Sequence, residues 1–252
     1  MNHYSYQLYS SRNFTPLENT LKMLASLGYR YVEGYGGLAE TIGSDAAQLK
    51  NLLDQSNLEM PSCHIGIEQL ENEKASVVEM SAKLGIRQIF VPAIDEEKRT
   101  QNSSDWIELA GRLQQLHQSY AVEGIAIGWH NHDFEFRKTE TGEFALDILL
   151  KNAPDIDLEF DLAWAVRADQ DPLLWIEKYG GRIVAAHLKD LAATGECGDE
   201  DGWADVGQGV MDWKTLHAEL LKRDLKFLIM EHDNPSDHQR FASRSINYCR
   251  SL

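Results

Sequence analysis

Eight short apolar runs, rich in β-branched and aromatic residues, alternate along the chain with longer amphipathic stretches. The runs fall near residues 4–9, 30–35, 59–65, 88–94, 125–132, 156–162, 183–189 and 226–232. The stretches fall near 16–27, 45–56, 68–84, 104–122, 143–151, 171–178, 212–223 and 237–249. Strict alternation of strand and helix demands right-handed crossovers and a parallel sheet. Eight such units in 252 residues match a closed barrel, whereas an open doubly wound sheet ordinarily uses fewer. The expected architecture is α/β, a (β/α)₈ TIM barrel forming one domain over residues 1–252. No Gly-x-Gly-x-x-Gly follows the first run, so a dinucleotide fold would lack its phosphate loop.

Local signals support the elements. Trp106, Leu109, Ala110, Leu113, Leu116 and Tyr120 keep the three-and-four spacing of a helix with one buried face. Thr15 before Pro16, Ser44 with Gln48, and Ser103-Ser104-Asp105 read as helix starts. Gly28, Gly85 and Gly124 sit where a left-handed residue would stop a helix before the next strand. Residues 191–210 stand outside the pattern as a long, polar, glycine-rich loop. Loops of that length are ordinarily binding loops, lids or mobile segments, and this one, with Trp203, is expected to close over substrate.

Composition narrows the partners. A net charge of −16 opposes unaided binding to nucleic acid or an anionic membrane. Cys63, Cys197 and Cys249 are an odd number without paired spacing, which argues against a disulfide framework or thiolate metal site. The start of the chain lacks the pattern of a signal peptide, and no apolar stretch is long enough to span a bilayer. A cytoplasmic enzyme with a small-molecule partner is the expectation, with a homodimer possible.

Several runs end in residues that bind cations or move protons: His64, His130 with His132, Asp161, His187 with Lys189, and Glu231. In a barrel those ends converge on one mouth, where active sites assemble. Asp157, Glu159 and Asp161 alternate with Leu158, Phe160 and Leu162, so the acids share a face. Pointed inward, they require a compensating cation. Asp161, nearest the mouth, is the expected metal ligand, although a carboxylate there can also cap the next turn. A histidine and two carboxylates suit Mn²⁺ first, with Mg²⁺, Co²⁺ or Zn²⁺ as alternatives. His130 and His132 share a face and can be two ligands, or a ligand beside a general base. Glu33 and His64 offer polar groups at the second and third strand ends. Lys189 can polarise a substrate oxygen, or can pair with Asp190 or Glu159.

The chain resembles the sugar phosphate isomerase/epimerase family, the xylose isomerase-like barrels that include inosose dehydratase, ketose 3-epimerases and, more distantly, endonuclease IV. The resemblance rests on Tyr31-Val32-Glu33-Gly34, His64-Ile65-Gly66, the run from Trp129 to Phe136, and Asp161-Leu162-Ala163-Trp164. His187-Leu188-Lys189-Asp190, Val206-Gly207-Gln208-Gly209 and Glu231-His232-Asp233 complete it. It implies a divalent metal held by Asp161, His187 and Glu231. The fourth ligand, a glutamate on strand five of the epimerases, falls at about His130, a departure that resembles the inosose dehydratase branch. Glu135 and Trp164 fall near substrate-contacting positions. The expected function is a metal-dependent sugar or sugar phosphate isomerase/epimerase using an enediolate. Glu231, His132 and Lys189 are the catalytic candidates. A dehydratase or lyase on a keto-sugar is the alternative, and an endonuclease or a non-catalytic sugar-binding barrel stands further off.

Overall fold

The computed structural model describes residues 4–38 and 46–252. Eight strands close a parallel barrel: β1 (Tyr4–Gln7), β2 (Tyr31–Tyr35), β3 (Glu59–His64), β4 (Gln88–Val91), β5 (Ala126–His130), β6 (Asp157–Asp161), β7 (Ile183–Leu188) and β10 (Phe227–Met230). β10 pairs with both β7 and β1 and so shuts the ring. Outward residues such as Val32, Ile89, Ile127, Trp129, Leu158, Phe160 and Leu188 are buried under the surrounding helices. Burying them against the helix faces supplies the main drive for closure.

The barrel interior is unusual in chemistry. Its buried apolar cluster is small, comprising Phe90, Ala185 and Ile229. Around and above that plug lie Gln7, Glu33, His64, His130, Glu159, Asp161 and His187, none more than 7% exposed. Gly128 makes room for the plug, because a Cβ there would lie 2.6 Å from the Phe90 ring and 2.8 Å from the Asp157 carbonyl. So many buried polar groups are tolerated only when each finds a partner or an ion.

Several element boundaries differ from the sequence expectation. β5 stops at His130, leaving Asn131 and His132 on the following loop, and β4 stops at Val91. The expected helix 68–84 is two helices, Ile67–Asn72 and Lys74–Leu84. A further helix, Leu162–Arg167, starts directly after Asp161, whose side chain caps it. Pro16 rather than Thr15 occupies the N-cap position of the first helix, which has no side-chain cap, and Asn102 caps Ser103–Ala121 by accepting from the Ser104 amide. Gly28, Gly85 and Gly124 take the left-handed conformation expected of them. Ser44 lies outside the described residues, as does the first residue of the expected helix 45–56.

The glycine-rich segment 191–210 is tied down in this structure as a wall of the cleft. Asp190–Leu191 (β8) pairs antiparallel with Trp203–Ala204 (β9). The Asp190 carboxylate accepts from the amides of Gly207, Gly209 and Met211 at 2.9–3.2 Å. A Cβ on Gly209 would lie 2.2 Å from the Leu191 carbonyl, so only glycine permits that close approach. Glu200 accepts from the Ser236 amide and from Arg240, while Asp205 holds Arg240 and Arg244. These ties were hidden because the partners lie in the last helix and the turn before it.

Candidate active site

A cleft of about 710 Å³ opens at the carboxyl ends of the barrel strands. Tyr9, Tyr35, Trp164 and Trp203 line its sides with Arg12 and Arg167, and His64, His130, His132, Glu231 and Asp233 line its depth. Trp203 packs edge-on against Trp164 with ring centres 4.7 Å apart, and the Arg167 guanidinium lies 3.4 Å from the Trp203 ring centre.

Strand register brings the chemistry together. Asp161 lies opposite His187 across β6 and β7, and Ile229, two residues before Glu231, lies opposite His187 across β7 and β10. His130, Asp161, His187 and Glu231 thereby each place one donor atom within 4.8 Å of all the others. His64, His130, Glu159 and His187 form a second such group deeper in the barrel. His132 belongs to neither group and faces the cleft instead.

His187 is the pivot. Its Nδ1 lies 2.8 Å from Glu231 Oε2 and 3.9 Å from Asp161 Oδ2. Its Nε2 lies 2.9 Å from Glu33 Oε1 and 3.2 Å from Glu159 Oε2. Lys189, wholly buried, places Nζ 2.7 Å from Glu231 Oε2, 3.0 Å from Asp233 Oδ2 and 3.2 Å from Asp161 Oδ2. Lys189 therefore pairs with these three acids rather than with Asp190 or Glu159, and the Asp190 side chain is occupied by the turn at Gly207.

Burial and neighbouring charges pull the groups in different directions. Burial opposes ionisation of Glu231, but Lys189 and His187 override it and hold the carboxyl well below its usual range. Burial likewise opposes protonation of His187, yet Glu159 and Glu231 raise it well above the usual imidazole range. Asp161 is pushed up to about 6, because burial outweighs the attraction of Lys189 and His187. Burial and then Lys189 depress His132 to about 3, leaving a neutral imidazole. Burial, with His187 and His64 nearby, also keeps His130 neutral.

The donor set fits a divalent ion. Asp161 Oδ2 makes a 3.2 Å ion pair with Lys189 and His130 Nδ1 lies 3.2 Å from Glu159 Oε2, but neither atom has a well-formed hydrogen bond, which leaves both able to turn to an ion. Two carboxylates and two imidazoles suit Mn²⁺, Co²⁺ or Zn²⁺. Their orientation is braced: the Asn131 side chain exchanges hydrogen bonds with the Asp161 backbone, and Asp161 Oδ1 accepts from the Trp164 amide at 2.9 Å.

Two expected substrate contacts, Glu33 and Glu135, do not line the cleft in this structure. Glu135 is wholly buried, with its oxygens 2.9 Å from Trp129 Nε1 and from the His132 amide. It anchors the loop that carries His132, and burial pushes its carboxyl up to about 8 against those donors. Glu33 is also wholly buried, bonded to Gln7 and His187 below the cleft. Both sit on segments that approach the mouth, but their side chains turn into the barrel wall and interior. His64 and Trp164 do line the cleft. The partnership of Lys189 with Asp233, and the two cleft arginines, went unread because no strand-end pattern marks them.

The sequence model of the xylose isomerase-like TIM barrel matches residues 21–252. The chain belongs to that family. Solved structures of this fold include a sugar phosphate isomerase/epimerase from Parabacteroides distasonis, with TM-score 0.80, 20% identity, and coverage of 97% of this chain and 92% of that one. The probable 3-DHS dehydratase AsbF from Bacillus anthracis superposes with TM-score 0.79 at 14% identity, covering 99% of each chain. The 3-keto-D-glucoside 4-epimerase YcjR from E. coli gives 0.73 at 14% identity, covering 100% of each. A search of curated protein sequences finds no match. Among the described residues, no helix is long and apolar enough to cross a membrane.

Proposed function

We propose that the protein is a divalent-metal-dependent isomerase or epimerase of a sugar or keto-sugar, acting by proton transfer at the carbon beside a carbonyl. The observation that carries this reading is the convergence of His130, Asp161, His187 and Glu231 beneath an aromatic-walled cleft. The isomerase/epimerase names of two fold neighbours support it. A divalent ion on those four residues, Mn²⁺ by preference, would supply Lewis acidity that draws charge onto a substrate oxygen as the proton leaves.

The chain's own residues divide the remaining work. His132 faces the cleft as a neutral imidazole and is the candidate base on position alone, because burial and Lys189 oppose its protonation until bound substrate offsets them. Glu231 is ionised and offers a second proton carrier. Lys189 holds a buried cation next to Asp161 and Glu231 and steadies developing negative charge. Trp164 lines the cleft and offers its indole to a sugar ring, while Trp203, buried behind it under Arg167, backs that wall; keeping water away protects an enediolate from stray protonation.

A dehydratase is the second reading, favoured by one observation. With His130 in the ligand group, the two candidate proton carriers, His132 and Glu231, are chemically unlike. Unlike carriers suit removal of a proton and departure of a β-hydroxyl, and AsbF shares the fold. Incubating Mn²⁺-loaded protein with a panel of ketoses and keto-sugars in D₂O, followed by NMR, separates the readings. Deuterium beside the carbonyl of a recovered isomer supports isomerase chemistry, whereas a product short of one water supports the dehydratase. Turnover that persists undiminished after complete metal removal contradicts both.

A further inference from the structure

Arg12 and Arg167 line the cleft as half-buried guanidiniums. Each hydrogen-bonds only to backbone carbonyls: Arg12 Nη1 donates to Tyr9 and Asp233, and Arg167 Nη2 donates to Asp201 at 2.8 Å. Among the described residues neither forms an ion pair, whereas Arg240 and Arg244, on the last helix, meet Glu200 and Asp205 of the wall. Aromatic rings fix both forks. Arg12 lies 3.9 Å from the Tyr9 ring centre, and Arg167 lies 3.4 Å from that of Trp203. Stacking engages the flat faces and leaves N–H edges to spare: Arg12 Nε and Nη2, and Arg167 Nε and Nη1, make no hydrogen bond among the described residues.

Position and charge point the same way. Arg12, Asp233, Trp203 and Arg167 follow β1, β10, β7 and β6, which are consecutive around the barrel. They form one arc of the mouth, while His64 and His132 belong to the other, at the ends of β3 and β5. Within the first arc the acids are already matched. Asp161, Glu231 and Asp233 share the Lys189 ammonium, and a divalent ion balances the charge that remains. The arginines are left over. The other acid on the cleft lining is Asp201, which is exposed, so water and salt screen it. We propose that Arg12 and Arg167 form an anion subsite that holds a carboxylate or phosphate group at the end of the substrate remote from the reacting carbon. This rests on the metal-dependent reading of the same cleft, which supplies the balancing ion. Trp203 sets the spacing, since its ring carries Arg167 and its centre lies 4.7 Å from Lys189 Nζ. Paired N–H donors in a fixed fork match the oxygens of either anion.

The test titrates inorganic phosphate and acetate, separately, into the full-length protein loaded with Zn²⁺, a diamagnetic ion, and reads affinity by calorimetry. Wild type should bind at least one of the two anions. Arg12→Gln and Arg167→Gln keep an N–H donor for the carbonyl ties but remove the charge, and each should weaken anion binding by about tenfold or more. Arg167→Lys returns the charge without the fork and should recover part of that loss, which a purely structural tie would not predict. Nitrogen-15 NMR of wild type gives a readout independent of any variant's folding, because the bound anion should shift the Nε–H signals of Arg12 and Arg167. Acetate bound alone assigns a carboxylate-bearing substrate, and phosphate bound at least as tightly assigns a phosphorylated one. Equal anion affinity in wild type and both folded Gln variants places the anion on the ion and overturns the proposal, as do arginine signals that stay still. Absence of bound Zn²⁺ in wild type defeats the functional reading and this inference together, whereas normal Zn²⁺ binding without binding of either anion defeats this inference alone.

Discussion

Replacing Lys189 by methionine keeps most of the side chain's bulk and removes its charge. The ammonium touches Glu231, Asp233 and Asp161 within 3.2 Å, and neither it nor Asp161 has any exposed side-chain surface. Removing one partner from a buried ion pair costs about 3–5 kcal/mol, because the other charge is left uncompensated. His187 stays beside Glu231 as a second cation, so the lower end of that range applies. In a chain of this size each kcal/mol moves Tm by roughly 2–4 °C, giving a fall on the order of 10 °C in chelator. Metal binding should respond in the opposite direction. Two unit charges about 4 Å apart at an effective dielectric near 20 repel by about 4 kcal/mol. Even a third of that relief, about 1.4 kcal/mol, would tighten Mn²⁺ binding tenfold. Calorimetric melting in chelator and in saturating Mn²⁺, paired with a competition titration, reads both effects. An unchanged Tm in chelator would refute the buried-charge argument. Weaker Mn²⁺ binding would show that Lys189 orients the acids rather than competing for them.

Three further outcomes follow from the same geometry. His132→Ala should retain metal and lose turnover by about 10²–10⁴, measured on the substrate found in the D₂O panel; full activity removes His132 from the mechanism. Glu200→Gln should loosen the wall formed by residues 191–210 by about 1.5–3 kcal/mol, the worth of hydrogen bonds to a charged group, seen as faster amide exchange there. The Glu200 carboxyl is drawn down to about 2 by Ser236 and Arg240, which overcome the opposing effect of burial. A depressed acid stabilises the fold above its unfolded value of about 4.5. That stability drains away as pH falls toward 2, and the Gln variant should lack this acid dependence. Gly128→Ala should destabilise the barrel by about 1–3 kcal/mol through overpacking against Phe90, and a melting curve superimposable on wild type would contradict that.

Much of the barrel was legible because each strand is an apolar run and each crossover helix an amphipathic one, two periods that do not mimic each other. The inward acids were legible for the same reason, since Asp157, Glu159 and Asp161 occupy alternate positions of a run whose other members are apolar. Convergence at the mouth then follows from topology alone. What alternation does not specify is how far a side chain reaches. Glu33 and Glu135 stand where strand ends approach substrate, yet one bonds His187 inside the barrel and the other holds Trp129 and the His132 amide. Periodicity also says nothing of contacts distant in sequence. Glycine content and Trp203 made residues 191–210 read as a loop that closes over substrate, and nothing in that pattern shows that Arg240, Arg244 and Ser236 tie the segment from elsewhere in the chain. The break between Ile67–Asn72 and Lys74–Leu84 carries no proline or glycine and left no mark in the pattern.

The central claim is that carboxylates and imidazoles from separate strands bind one divalent ion. Elemental analysis of protein equilibrated with limiting Mn²⁺ tests it directly, using wild type, Asp161→Asn, Glu231→Gln and Glu68→Gln. Asn at 161 can keep the cap on the Trp164 amide through its oxygen, so the fold is spared while a donor is lost. Glu68 lies on an outer helix, paired with Lys98 and Arg112, and serves as the control. The account predicts about one ion per chain in wild type and Glu68→Gln, with sharp loss in Asp161→Asn and Glu231→Gln. Equal metal content in all four proteins would contradict it.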